Sequence, residues 1–251
     1  MAGHRFFVPP ENISSQTVVI EGDEAYHLRR VLRLVPGDEV LVFDGCGREM
    51  RARIEQFDAQ SVFLRIIEQL GNEVESPLSL TLVQGLIKGE RFEVVIQKAT
   101  ELGVSAFQPL VSKYTDVRLS EFRAEKRLER WRRIVLEAAK QSGRRRLMTI
   151  LPLIEWDELI DQAIQPVVFF AERGGQSLEQ IANKLKTQQF SEVSAVVGSE
   201  GGWSEQEQAE AASAGFHLAT LGPRILRAET AGVTAAVLLQ YLFGDLKNLC
   251  D

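Results

Sequence analysis

Two stretches toward the C-terminal end combine residue types and spacing that chemistry would need. The first reads Val196-Val-Gly-Ser-Glu-Gly-Gly-Trp-Ser204. An apolar run enters a glycine-rich turn, and Ser204-Glu-Gln-Glu207 then has the pattern of a capping box that starts a helix. Glycines at such a turn let backbone amides approach a ligand, and ligands of open α/β sheets sit beyond the carboxyl ends of strands. The spacing is neither GxGxxG nor a Walker A sequence, so pyrophosphate is not its natural ligand. The second stretch reads Leu221-Gly-Pro-Arg-Ile-Leu-Arg-Ala-Glu-Thr-Ala231. It crowds Arg224 and Arg227 into a turn and puts Glu229 and Thr230 at a helix start, where exposed amides favour an acid. A helix cap with incidental arginines is the plain alternative.

No metal is expected. His4, His27 and His217 stand far apart, as do Cys46 and Cys250, and none falls in a ligand spacing with acids. His217 opens an apolar run and reads as structural. The net charge of −6 argues at first against a nucleic-acid partner. Residues 123–146, however, carry ten Arg or Lys against three acids, a local charge of +7. Such a concentration in an acidic chain has the character of a phosphate-binding face, with a solvated basic helix as the bland alternative.

These residues must be held by elements of two kinds. Over 1–72, short apolar runs at 17–20, 39–43, 50–54 and 61–66 alternate with turn signals such as Pro36-Gly37 and Asp44-Gly45. One helix is expected over 23–32, with Tyr26, His27, Val31 and Leu32 on its apolar side. A small β-rich domain results, and the polar segment 71–77 makes a linker. Over 78–251 the rhythm changes. Strand-length runs at 78–83, 106–111, 166–170, 193–198 and 217–221 alternate with helical patterns, such as Phe92, Val95, Ile96, Ala99 and Leu102. Such α/β alternation predicts a largely parallel sheet covered on both faces. The last helix, 229–243, is uncharged after Glu229 and so is expected to be buried on every side, within the chain or across a homodimer. No run suits a signal peptide or a bilayer span, so a soluble cytoplasmic protein without a membrane partner is expected.

Taken together, these segments resemble the SPOUT superfamily of knotted methyltransferases, and within it the 16S (small-subunit) ribosomal RNA uridine-N3 methyltransferases. The two C-terminal segments, in this order, carry the specific signal. Support comes from Arg5-Phe-Phe-Val8, Tyr26-His-Leu-Arg-Arg-Val-Leu-Arg33, Phe43-Asp-Gly-Cys-Gly47, Lys88-Gly-Glu-Arg-Phe92, Gln97-Lys-Ala-Thr-Glu-Leu-Gly-Val104 and Glu137-Ala-Ala-Lys-Gln-Ser-Gly-Arg144. The chain departs from the family pattern at Ser199, in place of proline, and at Tyr26, in place of a second histidine.

The resemblance implies a PUA-like RNA-binding barrel over 1–72 and a deep trefoil knot over 78–251 that works as a homodimer. Physical rules alone would have rejected a knot. It implies S-adenosylmethionine as cofactor, held by Phe170, Glu172, Gly198, Glu200, Gly201, Gly202, Leu221, Gly222, Ile225, Leu226, Arg227, Thr230 and Ala231. It offers Arg227 and Arg144 to stabilise charge on the target base and Glu229 and Glu200 as proton acceptors. Ribosomal RNA, free or in the small-subunit particle, would meet Arg5, His27, Arg29, Arg30, Arg33, Lys88, Gln141, Arg144 and Arg145. Another SPOUT activity, on a ribose 2′-oxygen or a tRNA base, is the closest rival. A non-catalytic ribosome-assembly factor and a nucleotide-dependent oxidoreductase are more distant ones.

Overall fold

The computed structural model describes residues 4–71, 75–116, 121–188 and 190–247, with backbone alone over 121–124. The chain divides into two compact units. The first runs up to Glu75 and is joined by Ala139–Leu147; the second holds Ser76–Ala138 and the chain from Met148 onward.

In the first unit, strands β1 (Arg5–Phe7), β2 (Thr17–Glu21), β3 (Glu39–Phe43), β4 (Glu49–Phe57) and β5 (Ser61–Leu70) form one sheet in the order β1-β3-β4-β5-β2. Only the β1–β3 pairing is parallel. Period-two alternation decides which side chains enter the core. Val40 and Val42, then Met50, Ala52 and Ile54, then Val62 and Leu64 are buried, while Arg51, Arg53 and Arg65 face outward.

The helix expected over 23–32 is not a single α-helix. Helix α1 (Gly22–Tyr26) passes into a π-helical turn over His27–Val31. The wider turn rotates the apolar face, so Ala25 and Leu28 fill the core while Tyr26 and Val31 stand 65% and 58% exposed.

Asp44 ends the alternation of β3 as a buried carboxylate. It accepts from the amides of Cys46 and Arg48 and from Arg48 Nε at 2.6 Å. Burial works to raise its pKa, but these hydrogen bonds prevail and hold it below the ordinary aspartate value. A depressed folded-state pKa contributes stability that is present above the unfolded pKa, near 4, and lost as pH falls through the folded one. The gap in melting temperature between the wild type and Asp44→Asn is therefore expected to be constant at neutral pH and to shrink below about pH 4. A gap that does not change on acidification would refute this account.

The second unit runs β6 (Ser79–Gly85), α2 (Glu90–Glu101), β7 (Ala106–Val111), α3 (Glu121–Ser142, whose last turn belongs to the first unit), β8 (Thr149–Ile150), β9 (Ile154–Glu155) and α4 (Trp156–Gln162). It continues with β10 (Val167–Phe170), β11 (Gln176–Ser177), α5 (Leu178–Leu185), β12 (Glu192–Val197), α6 (Glu205–Ser213), β13 (His217–Thr220) and α7 (Ala228–Phe243). The sheet order is β11-β13-β10-β12-β6-β7-β8, with β9 also on β7, and every pairing is parallel. Strands buried on both faces carry near-continuous apolar runs, as in β10, where all four residues are buried. Burial also lowers the pKa of His217 at the start of β13, which fits a structural role.

Within the chain, helix α7 is buried on one face only. Gly232, Ala235, Ala236 and Leu239 are buried against the unit, but Val237 and Tyr241 are exposed, the latter by 55%. Gly232, Ala235 and Ala236 on the buried face allow close packing there, with Leu239 beside them. Among the described residues, no helix is long and apolar enough to cross a membrane.

Candidate functional site

The sheet order makes the site. Because β13, β10 and β12 are adjacent and parallel, the loops that leave their carboxyl ends begin side by side. These are the loops after Phe170, after Val197 and after Thr220, and between them lies a cavity of about 500 Å³. Its size is ordinary for a cofactor or small-molecule site.

Each wall is held from below. Trp203 Nε1 donates to the carbonyl of Phe170 at 3.0 Å, which ties the loop after β12 to the end of β10. The same indole lies against Gly198, where a β-carbon would come within 3.0 Å of the ring. It also packs in tilted contact with Phe169 and Trp156, with centroids 4.5 and 5.3 Å away. Gly202 has φ +68°, and a β-carbon there would meet the Glu172 carboxylate at 2.6 Å. Only glycine takes up this backbone and leaves the acid its place. The capping box at Ser204 forms as its pattern predicts: its Oγ accepts from the amide of Glu207, whose carboxylate reaches back to Ser204 N.

The lining contains three acids, Glu172, Glu200 and Glu229, and three bases, Arg91, Arg224 and Arg227. Arg91 Nη2 is paired with Glu200 at 2.5 Å. Among the described residues, two buried oxygens of the lining, Ser199 Oγ and Glu229 Oε2, have no hydrogen-bond partner. A cavity with balanced charge, close backbone and unsatisfied buried acceptors is built for a polar ligand bearing both signs of charge.

Of the residues put forward from sequence, Phe170, Glu172, Gly198, Glu200, Gly201 and Gly202 line this cavity. Leu221, Ile225, Leu226, Arg227, Glu229 and Ala231 do so as well. Gly222 and Thr230 do not: Gly222 makes the turn at φ +91°, and Thr230 is exposed on the first turn of α7. Arg91 and Trp203 were missed as site residues. Arg91 opens α2, more than a hundred residues from its partner in the chain, and no local pattern connects the two.

Arg144 requires the clearest correction. It belongs to the first unit, where it is 5% exposed and donates from Nε and Nη2 to Glu75. Arg145 is likewise buried, with Nε on Glu49, and Arg5 shares that carboxylate at 2.6 Å while also donating to the carbonyls of Ala139 and Arg144. These three arginines hold residues 139–147 in the first unit and are not surface groups. Arg29 donates to the carbonyls of Asp58 and Ala59 and lies over the Phe57 ring. Exposed in the first unit are His27, Arg30 and Arg33, and also Gln141. Lys88, in the second unit, is exposed and paired with Asp116, whose hydrogen bond raises its pKa. Of the basic run, Arg130 is paired with Glu93 and Lys140 with Glu24, and Arg132 and Arg133 are exposed. The side chain of Arg123 lies outside the described residues, as does Cys250.

An RNA methyltransferase domain family matches residues 74–240, which include every residue of the cavity lining. The chain belongs to the RNA methyltransferase family. An RNA methyltransferase PUA domain matches residues 20–67, so the first unit of this methyltransferase carries the family's accessory domain. Ribosomal RNA small subunit methyltransferase E of Synechocystis is 35% identical over 92% of this chain and 75% of its own length. A ribosomal RNA small subunit methyltransferase E from Neisseria gonorrhoeae, solved bound to S-adenosylmethionine, has 36% identity and a TM-score of 0.86 over 97% of this methyltransferase and 99% of its own chain. A Legionella pneumophila protein, solved in complex with the bound cofactor SAM, has 31% identity and a TM-score of 0.87 over 98% and 100%.

Proposed function

We propose that this RNA methyltransferase uses S-adenosylmethionine to methylate N3 of a uridine in 16S ribosomal RNA. The observation that carries the reading is the glycine-walled cavity with its unpartnered Ser199 Oγ and Glu229 Oε2. The residues present fit the cofactor. Backbone of Gly198 and of the 221–226 loop would hold the nucleoside, Leu221, Ile225 and Leu226 would cover the adenine, and the mixed charges suit an amino-acid tail. S-adenosylmethionine supplies a methyl group on a sulfonium, an activated leaving group that requires no metal.

The chain's own task is the uridine. Its N3–H must lose the proton before the nitrogen lone pair can attack, and negative charge then spreads onto the carbonyl oxygens of the base. Glu229 is the better proton acceptor, because its Oε2 has no partner among the described residues, whereas the Glu200 carboxylate is engaged by Arg91. Arg227 would face the charge on the base. The target nucleotide would leave its stack to arrive there, at a cost of a few kcal/mol. Exposed Arg30, Arg33 and His27 of the PUA domain and Lys88 beside the cavity would take the surrounding RNA. The SPOUT knot is part of this reading. So are a cytoplasmic location and a homodimer, the latter supported by the exposed Val237 and Tyr241 of α7 and tested by sedimentation.

Calorimetric titration with S-adenosylmethionine, with NADH as control, tests the cofactor. Mapping of methylated bases in 16S ribosomal RNA then tests the atom. No binding of S-adenosylmethionine would overturn the proposal. Arg227→Ala is expected to lower kcat about 10²–10³-fold with cofactor affinity retained; turnover at the wild-type rate would remove the arginine from the mechanism.

A further inference from the structure

We propose that Gln84 is a positioning residue that sets the gap between the two walls of the cavity, an inference that rests on the cofactor reading above. Gln84 stands near the carboxyl end of β6, level with Val197 of β12, and is fully buried. Its Nε2 donates to the carbonyl of Gly198 at 2.9 Å and, at 3.3 Å, to that of Gly85. Gly198 is the first residue of the glycine loop, so that wall is tied to this amide.

The other end of the carboxamide faces α7. Gln84 Oε1 is buried, has no hydrogen-bond partner among the described residues, and lies against Gly232. A β-carbon on Gly232 would overlap that oxygen, and would also come within 3.3 Å of Val95 Cγ1. Gly232 sits one turn beyond Ala228 and Glu229, which belong to the opposite wall. One side chain therefore touches the glycine loop through its nitrogen and the base of α7 through its oxygen.

The choice of residue argues for this role. A buried amide with an unsatisfied oxygen costs free energy that a methionine of similar length would avoid. What methionine lacks is the donor to the Gly198 carbonyl, so that hydrogen bond would be lost. Gln84 lies behind the wall and is not part of the cavity lining, so its effect is to hold the loop in register with α7.

The test uses the full chain and two readouts. Gln84→Met is expected to bind S-adenosylmethionine about tenfold or more weakly. Its peptide over 198–202 should exchange amide hydrogen faster without ligand, while exchange in β6 and β12 stays as in the wild type. Gln84→Glu supplies a conservative rescue. A neutral carboxyl donates O–H where the amide donates N–H, and burial keeps it neutral to higher pH than an exposed glutamate. Its affinity is expected to approach the wild-type value at low pH and to fall as the carboxyl ionises, while wild-type affinity measured over the same range lacks this step. Unchanged exchange over 198–202 in Gln84→Met would overturn the positioning role, as would affinity in both variants that is unchanged or falls only with the folded fraction. Faster loop exchange in Gln84→Met with no cofactor binding by the wild type would keep the positioning role and overturn the cofactor reading instead.

Discussion

Gly85→Ala is expected to weaken S-adenosylmethionine binding about tenfold or more, each tenfold being about 1.4 kcal/mol of binding free energy. A β-carbon at this position would lie 2.7 Å from the carbonyl carbon of Gly198 and 3.0 Å from the α-carbon of Ser199, and closer still to the Ser199 nitrogen. All three are backbone atoms, so no side chain can turn away to make room. Strand β6 cannot retreat, because it is paired with β12 on one side and β7 on the other. The glycine loop must yield, and with it one wall of the cavity. Overpacking of this kind also costs about 1–3 kcal/mol of stability. Titration calorimetry beside a thermal melt separates the two effects. Gly37→Ala is not suited because of its positive φ, so Gly71→Ala serves as the control, since a β-carbon there meets none of the described residues within 4 Å. Affinity in Gly85→Ala equal to the control's would show that the loop does not need this close approach.

The largest expected loss of stability lies in the first unit, at Glu75. Its Oε2 accepts from Arg144 Nε and Nη2, and its Oε1 accepts from the amides of Arg145 and Arg146 at 2.8 and 2.9 Å. Glu75→Ala takes the carboxylate from a buried guanidinium and two amide donors at once. Removing a carboxylate that serves several buried donors typically costs about 3–5 kcal/mol, because those donors lose a charged acceptor. For a chain of this size that is a fall of roughly 10 °C in melting temperature. Glu93→Ala breaks an exposed pair with Arg130 and is expected to cost less than about 1 kcal/mol. Equal melting temperatures for the two variants would refute the argument from burial. Glu75→Gln should fall between them, since its amide oxygen still accepts from the backbone.

The two kinds of site residue differed in how far the sequence revealed them. Gly198, Gly201 and Gly202 were legible because a glycine-rich turn between an apolar run and a capping box has a local geometric meaning. Glu229 and Arg227 were legible because a helix start is signalled within a few residues. Arg144 and Arg145 were misread for a matching reason. A count of charges along 123–146 registers sign and not burial, and the acids that neutralise these arginines, Glu75 and Glu49, stand some 70 and 96 residues away in the chain. Elements of two or three residues, such as β1, β8, β9 and β11, are too short to show any period, and they went unseen.

Local order in the chain therefore determined the longer strands of the α/β unit with helices α2, α3, α6 and α7, the alternation of the PUA domain and the chemical character of the two loops, because each is written within a span of some ten residues. Tertiary structure decided what those loops enclose. The adjacency of β13, β10 and β12, the reach of Arg91 to Glu200, and the place of Gln84 between Gly198 and Gly232 all join residues far apart in sequence. Such pairings follow from packing and strand order, which no local period encodes.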